Sequence, residues 1–381
     1  MKKAILLVLI FFLVACTQQS TEVSPEVIQK EGIKVSITPH EDKVPVSADE
    51  KPIIVASPKA QFKNVSTWFY LKSPTVGAEV ENIVDSSYDL IVIDPVFTKK
   101  NTNTLSVRTA IDKIRKSSGA NVTNKIVLAY LDITHADVNR YYWQSSWREM
   151  PPSFIIGDTT DTNQDVFLVA YWDKDWKKIW FGSYQDSDSL MKQIVDEGFD
   201  GVYLDGVQAY NDDSILERAY ANVKDTKKEL FSFIKEIKQS SPDLIIITQD
   251  APELVRYDEY VAPLDGVAQE HVWFDGGISG KPNGDCRLPR TLGNITSRSY
   301  KDSLKGDCLD LYEDFPQSTL HTASEEYLLH LNLAQEKGLK VFTVDYAEKT
   351  SNKLTAYNES RSQGFIPFVS VKNLDVFVEP R

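Results

Sequence analysis

The sequence has 381 residues, 25% of them charged, and a formal net charge of −13 at pH 7. A chain of this length can bury the core of one large domain. Its acidic balance argues against a nucleic-acid partner, because phosphate backbones attract basic surfaces, and mildly favours a neutral or cationic one.

The N-terminus has the layout of an export signal. Lys2 and Lys3 precede an apolar run over residues 4–14, which leads into Cys16. About a dozen apolar residues are too few to cross a bilayer, which needs about 20, so the run indicates a cleaved signal peptide. The tetrad LVAC at residues 13–16 resembles the lipobox of bacterial lipoproteins, which implies cleavage before Cys16 and its diacylation. The alternative is an ordinary signal with a chance cysteine.

The resulting expectation is an exported protein, lipid-anchored to a membrane at Cys16, in the periplasm or on the cell surface. Residues 1–15 would be the signal peptide, 16–65 the lipidated cysteine with a flexible linker, and 66–375 the folded domain, a monomer. Residues 17–52 are rich in Thr, Ser, Glu, Pro and Lys and show little hydrophobic periodicity, as is typical of a solvated linker.

Two further cysteines, Cys286 and Cys308, lie in one polar loop. In an oxidising exported compartment such a pair is a plausible disulfide. No histidine cluster accompanies them, so the spacing does not indicate zinc. We predict neither a metal site nor a cofactor.

Eight short apolar runs begin near residue 66. They are rich in β-branched and aromatic residues and mostly continuous rather than alternating, as expected for strands covered on both faces. The runs cover residues 67–71, 90–96, 125–133, 200–206, 244–250, 265–273, 340–347 and 365–371.

Amphipathic stretches lie between these runs, including a long one over 216–237 and another over 327–334. Alternating strands and helices to a count of eight predict an α/β fold, a (β/α)8 TIM barrel. A doubly wound sheet is the alternative, but no glycine-rich phosphate loop follows the first strand. Two long connections, 134–199 and 274–322, predict insertions after strands 3 and 6, on the face where barrels build their sites.

Acidic residues mark the ends of six predicted strands. Because the C-terminal ends of parallel barrel strands share one mouth, these carboxyl groups should converge. A glycosidase needs one carboxyl group held protonated and a second held ionised, and crowding of like charges raises one of the two pKa values. The acids are Asp94, Asp132, Asp205, Asp250, Glu270 and Asp345.

Aromatic residues occur at the same strand ends and could present flat surfaces to sugars, although core packing is the alternative for each. The acids could instead bind calcium or magnesium. Among the histidines, only His271 is expected near the site, beside Glu270. The aromatics are Trp68, Tyr70, Tyr130, Tyr203, Trp273 and Tyr346.

Several segments resemble glycoside hydrolase family 114, the endo-α-1,4-polygalactosaminidase-like barrels. They include IVLAYLDITHADVNRYYW, VAYWDKDW, VFTVDYA and, most specifically, GFDGVYLDG followed by DGVAQE. The resemblance implies that Asp205 and Glu270 are the catalytic pair, Asp205 as nucleophile or charge stabiliser and Glu270 as general acid/base. It also implies that Asp94, Tyr130, Asp345 and Tyr346 lie in the substrate pocket.

The strand-end argument adds four further candidates for substrate binding: Asp132, Tyr203, Asp250 and Trp273. Asp132, the residues around Asp250, and the 274–322 insertion depart from the family pattern, so the substrate could differ from a galactosamine polymer.

Two hypotheses follow. The first is a glycoside hydrolase, endo-acting on an α-linked, galactosamine-type amino-sugar polysaccharide. The second is a non-catalytic, carbohydrate-binding surface lipoprotein on the same barrel.

Overall fold

Folded structure begins before the expected boundary at residue 66. Phe62 and Val65 are buried in the main core. At the other end, the hydroxyl of Tyr88 donates to the carbonyl oxygen of Val378 over 2.8 Å, so the folded part also continues beyond residue 375. The computed structural model describes residues 56–72, 76–94, 106–160, 164–182, 189–222, 224–275, 285–371 and 373–381.

Eight parallel strands pair in chain order, and every hydrogen-bonded pair among them is parallel. The first and last are linked where the indole N–H of Trp68 donates to the carbonyl oxygen of Ile366 over 3.0 Å. The predicted (β/α)8 barrel is therefore confirmed. The barrel strands are β1 (Trp68–Leu71), β2 (Leu90–Ile93), β3 (Ile126–Asp132), β6 (Gly201–Asp205), β7 (Ile245–Gln249), β8 (Gly266–Glu270), β11 (Lys340–Tyr346) and β12 (Ile366–Ser370); β4 (His135–Asp137), β5 (Val166–Leu168), β9 (Phe274–Asp275) and β10 (Cys286–Arg287) lie outside it.

Helices connect the barrel strands, and none in the described part of the chain is long and apolar enough to cross a bilayer. Short 3₁₀ turns follow several strands, among them Val207–Asn211 after β6 and Pro252–Arg256 after β7. The helices are α1 (Pro58–Gln61), α2 (Val76–Asp85), α3 (Val107–Arg115), α4 (Lys174–Phe181), α5 (Leu190–Glu197), α6 (Asp213–Ala221), α7 (Thr226–Ser240), α8 (Asp258–Val261), α9 (Leu292–Ile295), α10 (Arg298–Ser303), α11 (Asp307–Asp314), α12 (Ser324–Glu336) and α13 (Thr350–Ser362).

The long helix predicted over 216–237 is two helices, α6 and α7. Asp225 begins α7, since its side chain accepts a hydrogen bond from the backbone N–H of Lys228. Capping by aspartate competes with continuation of the preceding helix. Tyr220, which the periodicity assigned to the apolar face, is 88% exposed.

Both predicted insertions are present, and both contain strands and helices. The first, after β3, contains the antiparallel pair of β4 and β5 together with α4. The second, after β8, contains the antiparallel pair of β9 and β10 and the helices α9, α10 and α11. A disulfide joins Cys286 to Cys308, beside a small apolar cluster of Leu288, Leu311 and Leu320.

Aromatic side chains fill the inside of the barrel. Trp68, Tyr70 and Tyr203 are at most 1% exposed, and their ring centroids lie 5.1–6.0 Å apart. Rings at these separations are in direct contact. Trp68 also meets Phe342 and Phe368 edge-on. These residues form the floor beneath the mouth of the barrel.

Candidate active site

Asp205, the last residue of β6, is surrounded by hydrogen-bond donors. Its carboxylate accepts from the hydroxyl of Tyr130 over 2.6 Å, the backbone N–H of Gly206 over 2.7 Å and the amide of Gln249 over 3.2 Å. The ammonium of Lys72 lies 3.8 Å from the same carboxylate. The register of the sheet places Tyr130 and Asp205 on adjacent strands, two rungs apart. These contacts are suited to holding negative charge on Asp205.

Glu270, the last residue of β8, has different surroundings. Burial, and then the negative charge of Asp205, raise its pKa to about 7. The hydroxyl of Tyr346 donates to Glu270 over 2.7 Å, and His271 lies 3.7 Å from the other carboxylate oxygen. A chain of hydrogen bonds through Gln249 and Asp250 connects Glu270 to Asp205, so the two carboxyl groups lie at one mouth. Near neutral pH, Glu270 can therefore carry a proton, which is the state that a general acid needs.

Asp250 links the two catalytic candidates. Its carboxylate accepts from the backbone N–H of Glu270 over 3.2 Å and from the side-chain amide of Gln269 over 2.9 Å. The amide of Gln249 contacts both Asp250 and Asp205. Burial, followed by the charges of Glu270 and Asp205, raises the pKa of Asp250 to about 7. Asp250 thus belongs to the same electrostatic network.

The backbone is unusual directly after two barrel strands. Asp250 has φ of 62° and His271 has φ of 55°. Residues other than glycine seldom adopt this region, and such residues cluster at functional sites. Both positions adjoin the Asp205–Glu270 pair.

Asp345, near the end of β11, holds the backbone that follows Glu270. One carboxylate oxygen accepts from the backbone N–H groups of Trp273 and Phe274 over 2.7 and 2.9 Å. Burial raises its pKa to about 7, although these two bonds oppose the rise. Asp345 thereby ties β11 to the chain that leaves β8, and so fixes the backbone beside Glu270.

Two predicted aromatic candidates lie in the core instead of on the surface of the mouth. Tyr203 is fully buried, and Trp273 is 3% exposed with its indole N–H donating to Ser360 over 2.7 Å. Because both rings are buried, neither can stack on a sugar in this arrangement. The sequence did not show this, since a position at a strand end does not distinguish a ring that faces the mouth from one packed below it. Tyr130 and Tyr346 are also buried, but their hydroxyl groups reach the two catalytic candidates.

The other two acids at the mouth are paired with basic residues. Asp94 forms a two-point ion pair with Arg140, with contacts of 2.5 and 2.9 Å. Asp132 bonds His135 over 2.9 Å. Although burial opposes both shifts, this bond lowers the pKa of Asp132 and raises that of His135. His135 therefore lies at the mouth, contrary to the expectation that only His271 would.

Sequence reasoning missed Lys72, Gln249, Arg140 and His135. Lys72 directly follows β1, so the strand-end rule would have found it had the rule been applied to basic residues. Arg140 lies within an insertion, where no periodicity indicates which residues face the barrel.

A cavity of about 150 Å³ opens between the ends of β1–β3 and the first insertion, and it is lined by two contacts of Asp205, Lys72 and Tyr130. We call it the Arg140 cavity. It is lined by Lys72, Asp94, Tyr130, Leu131, Asp132, His135, Asp137, Arg140, Tyr141, Tyr142, Val166, Trp176, Trp180 and Leu190.

The predicted lipidation site, Cys16, lies outside the described residues. Within the described ranges, no group of three or more His, Cys, Asp or Glu side chains is arranged to hold a metal ion.

Comparison of the sequence with models of known protein families identifies one family over nearly the whole folded part of the chain. Residues 54–380 match the glycoside-hydrolase family GH114. The chain belongs to family GH114. The resemblance drawn from the motifs is thereby confirmed, and membership places the chain among the glycosidases.

Three relatives of this GH114 chain are uncharacterised proteins. One from Deinococcus radiodurans is 24% identical over 86% of this chain and 87% of its own length, and one from Thermotoga maritima is 24% identical over 84% and 85%. A protein from Methanocaldococcus jannaschii is 33% identical, but the match spans 52% of this chain and 55% of that protein.

Two solved structures share the fold. The glycoside hydrolase domain of PelA from Pseudomonas aeruginosa aligns with a TM-score of 0.50 at 14% identity, covering 82% of this chain and 96% of the domain. Ega3 from Aspergillus fumigatus, solved in complex with galactosamine, has the same TM-score and identity, covering 83% and 95%. At this identity the likeness concerns the fold alone.

Proposed function

We propose that this protein is an endo-acting glycoside hydrolase that cleaves an α-linked, galactosamine-type amino-sugar polysaccharide. Glu270 is the general acid/base, and Asp205 is the nucleophile or charge stabiliser. The observation that carries the proposal is the contrast between the two carboxyl groups. The pKa of Glu270 is raised to about 7, whereas Asp205 accepts three hydrogen bonds and faces Lys72.

The reaction follows from this contrast. Glu270 gives its proton to the glycosidic oxygen as the bond between that oxygen and the anomeric carbon breaks. Asp205 stabilises the positive charge that develops at the anomeric carbon, either as an ion or by bonding to it. Water then adds its hydroxyl to the anomeric carbon, which breaks any bond formed to Asp205. The remaining proton of the water goes to Glu270, and the starting state is restored.

The substrate class has three supports. The chain belongs to GH114, and one of its structural neighbours was solved with galactosamine bound. The net charge of −13 also suits a polymer that carries ammonium groups.

Release of reducing ends tests the proposal. Wild-type protein is incubated with α-1,4-linked galactosamine polymers, in free-amine and partly N-acetylated forms, with chitosan as a β-linked control. We expect release from the α-linked polymers only. Asp205→Asn should lower the rate at least about 100-fold, because it removes the charge beside the anomeric carbon.

The thermal midpoint of Asp205→Asn should stay close to that of wild type, which separates lost chemistry from lost folding. Retained turnover in Asp205→Asn would remove the assignment. Polymer binding by wild type without any release of reducing ends would support the carbohydrate-binding lipoprotein instead.

We also propose that the mature chain is anchored to a membrane by lipid on Cys16. The support is the LVAC tetrad after an apolar run. Mass spectrometry of the mature N-terminus should show a diacylated cysteine, and Cys16→Ser should abolish the lipid mass. An unmodified N-terminus on the membrane fraction would contradict the anchor.

A further inference from the structure

The acids that line the Arg140 cavity have basic partners within the chain. Arg140 contacts both carboxylate oxygens of Asp94. Its Nε also lies 3.8 Å from Asp137. A carboxylate that is already paired gains little from a second cation, which would have to displace the first.

The third acid of the cavity also has a basic residue as its partner. His135 lies 2.9 Å from Asp132, and, although burial opposes it, this contact raises the pKa of His135. The lining thus contains three acids, Asp94, Asp132 and Asp137, and three basic residues, Lys72, His135 and Arg140. Because Arg140 and His135 already contact these three acids, the lining offers an ammonium sugar little unpaired negative charge.

Trp180 supplies an independent observation at the same cavity. It lines the cavity and is 1% exposed, yet its indole N–H has no hydrogen-bond acceptor within the described part of the chain. The neighbouring Trp176 is satisfied, since its indole donates to the carbonyl oxygen of Ile133. A buried donor left unpaired costs about 1–3 kcal/mol. Because an indole N–H can only donate, a group that satisfies Trp180 must present an acceptor atom.

Apolar side chains accompany Trp180 in the lining of this cavity. Trp176, Leu190 and Val166 line the same cavity. A group that combines a neutral acceptor with a small apolar end therefore fits this lining, and an acylamino group has both.

We propose that the Arg140 cavity binds the acylamino group of an N-acetylated hexosamine unit. The indole N–H of Trp180 donates to the amide carbonyl oxygen, and the apolar side chains surround the methyl group. This inference rests on the proposed function and deepens it, because it makes the preferred substrate one with an uncharged N-acetylated unit beside the scissile bond.

Binding of monosaccharides tests the cavity without requiring turnover. Calorimetry or saturation-transfer NMR compares N-acetylgalactosamine with galactosamine on wild type, Trp180→Phe and the control Trp172→Phe, whose ring does not line the cavity. We expect wild type to prefer the N-acetylated sugar. Trp180→Phe should reduce that preference about tenfold, as expected for one lost hydrogen bond, while Trp172→Phe leaves it unchanged.

A second variant keeps the test decisive if Trp180→Phe fails to fold. Arg140→Gln leaves Asp94 without its cation and should raise the affinity for galactosamine relative to N-acetylgalactosamine. Equal binding of both sugars by wild type, or no change in preference in either variant, would overturn the inference.

Hydrolysis assays on the same proteins distinguish failure of the cavity assignment from failure of the proposed glycosidase activity. Cleavage of the polymers with no N-acetyl preference in binding would remove the cavity assignment and leave the glycosidase intact. N-acetyl-selective binding without cleavage would retain the cavity and remove the catalytic assignment.

Discussion

The two catalytic candidates differ because of what surrounds each side chain. Asp205 accepts from a phenol, a backbone amide and a side-chain amide, and it faces an ammonium group. Glu270 is buried and opposed by the charge of Asp205. These different surroundings are what the proposed roles require, with Glu270 as the acid and Asp205 as the nucleophile or charge stabiliser.

Removing the hydroxyl of Tyr346 should change the pH dependence in a defined direction. That hydroxyl donates to Glu270 and lowers its pKa, against the larger effect of burial. Because a general acid acts only when protonated, wild-type kcat/KM should fall as the pH rises above about 7. In Tyr346→Phe, the pKa of Glu270 rises further, so the fall should move to higher pH.

The measurement is the pH profile of kcat/KM on a soluble α-linked oligosaccharide. Tyr88→Phe is the matched control, since it removes a hydroxyl that bonds Val378 far along the chain. A profile of Tyr346→Phe that overlays wild type, or shifts to lower pH, would contradict the role of Glu270 as the acid.

At the scale of elements, continuous apolar runs were sufficient to locate every barrel strand, with errors of one or a few residues at the ends. Burial on both faces of a strand leaves a continuous apolar run, which can be seen directly in the sequence. The break between α6 and α7 was not predicted, because a single capping aspartate, Asp225, outweighs the apolar spacing on either side.

The position of a candidate side chain can be predicted from the sequence where it ends a barrel strand, and not beyond. Residues that end a strand, such as Asp205 and Glu270, have their direction fixed by the barrel. Arg140 belongs to an insertion, so its ion pair with Asp94 depends on tertiary packing that the linear pattern does not encode. The burial of Tyr203 likewise depends on the neighbouring rings of Trp68 and Tyr70.

The disulfide should stabilise the second insertion selectively. It closes a loop with a sequence separation of 22 residues beside a small apolar cluster. Closing a loop of this size is worth about 3 kcal/mol in the chain-entropy model. Replacing both Cys286 and Cys308 with serine should therefore make the insertion open more often while the barrel stays folded.

Limited proteolysis measures this opening. We expect faster cleavage between residues 285 and 322 in the double variant than in wild type. Wild type treated with reductant should be cleaved as fast as the double variant. As a control, reductant should not change the cleavage rate of the double variant, which lacks the disulfide. Equal cleavage rates in wild type and variant would show that the disulfide contributes nothing to the insertion.

At the scale of the whole molecule, buried acids at the mouth make stability depend on pH. The folded-state pKa of Asp345 is raised to about 7 from an ordinary value of 3.8. Between these values the unfolded chain releases the proton while the folded chain keeps it, so the folded state binds more protons and stability falls as the pH rises. Glu270 and Asp250 act in the same direction.

Asp345→Asn should weaken this dependence. Asparagine keeps an oxygen that can accept from the N–H groups of Trp273 and Phe274 but cannot ionise. The thermal midpoint of the variant minus that of wild type should increase from pH 5 to pH 8, as scanning calorimetry measures. Asp302→Asn, at an exposed position, is the control. A difference that stays constant with pH would show that Asp345 does not titrate as described.

The most direct measurement of the catalytic assignment compares two leaving groups. Departure of fluoride needs little protonation, whereas a sugar alkoxide needs the acid. Glu270→Gln should therefore lose about 10²–10⁴-fold in rate on the polymer and far less on the corresponding α-glycosyl fluoride, while Asp205→Asn loses activity on both. Cleavage of the polymer by Glu270→Gln at the wild-type rate would contradict the account.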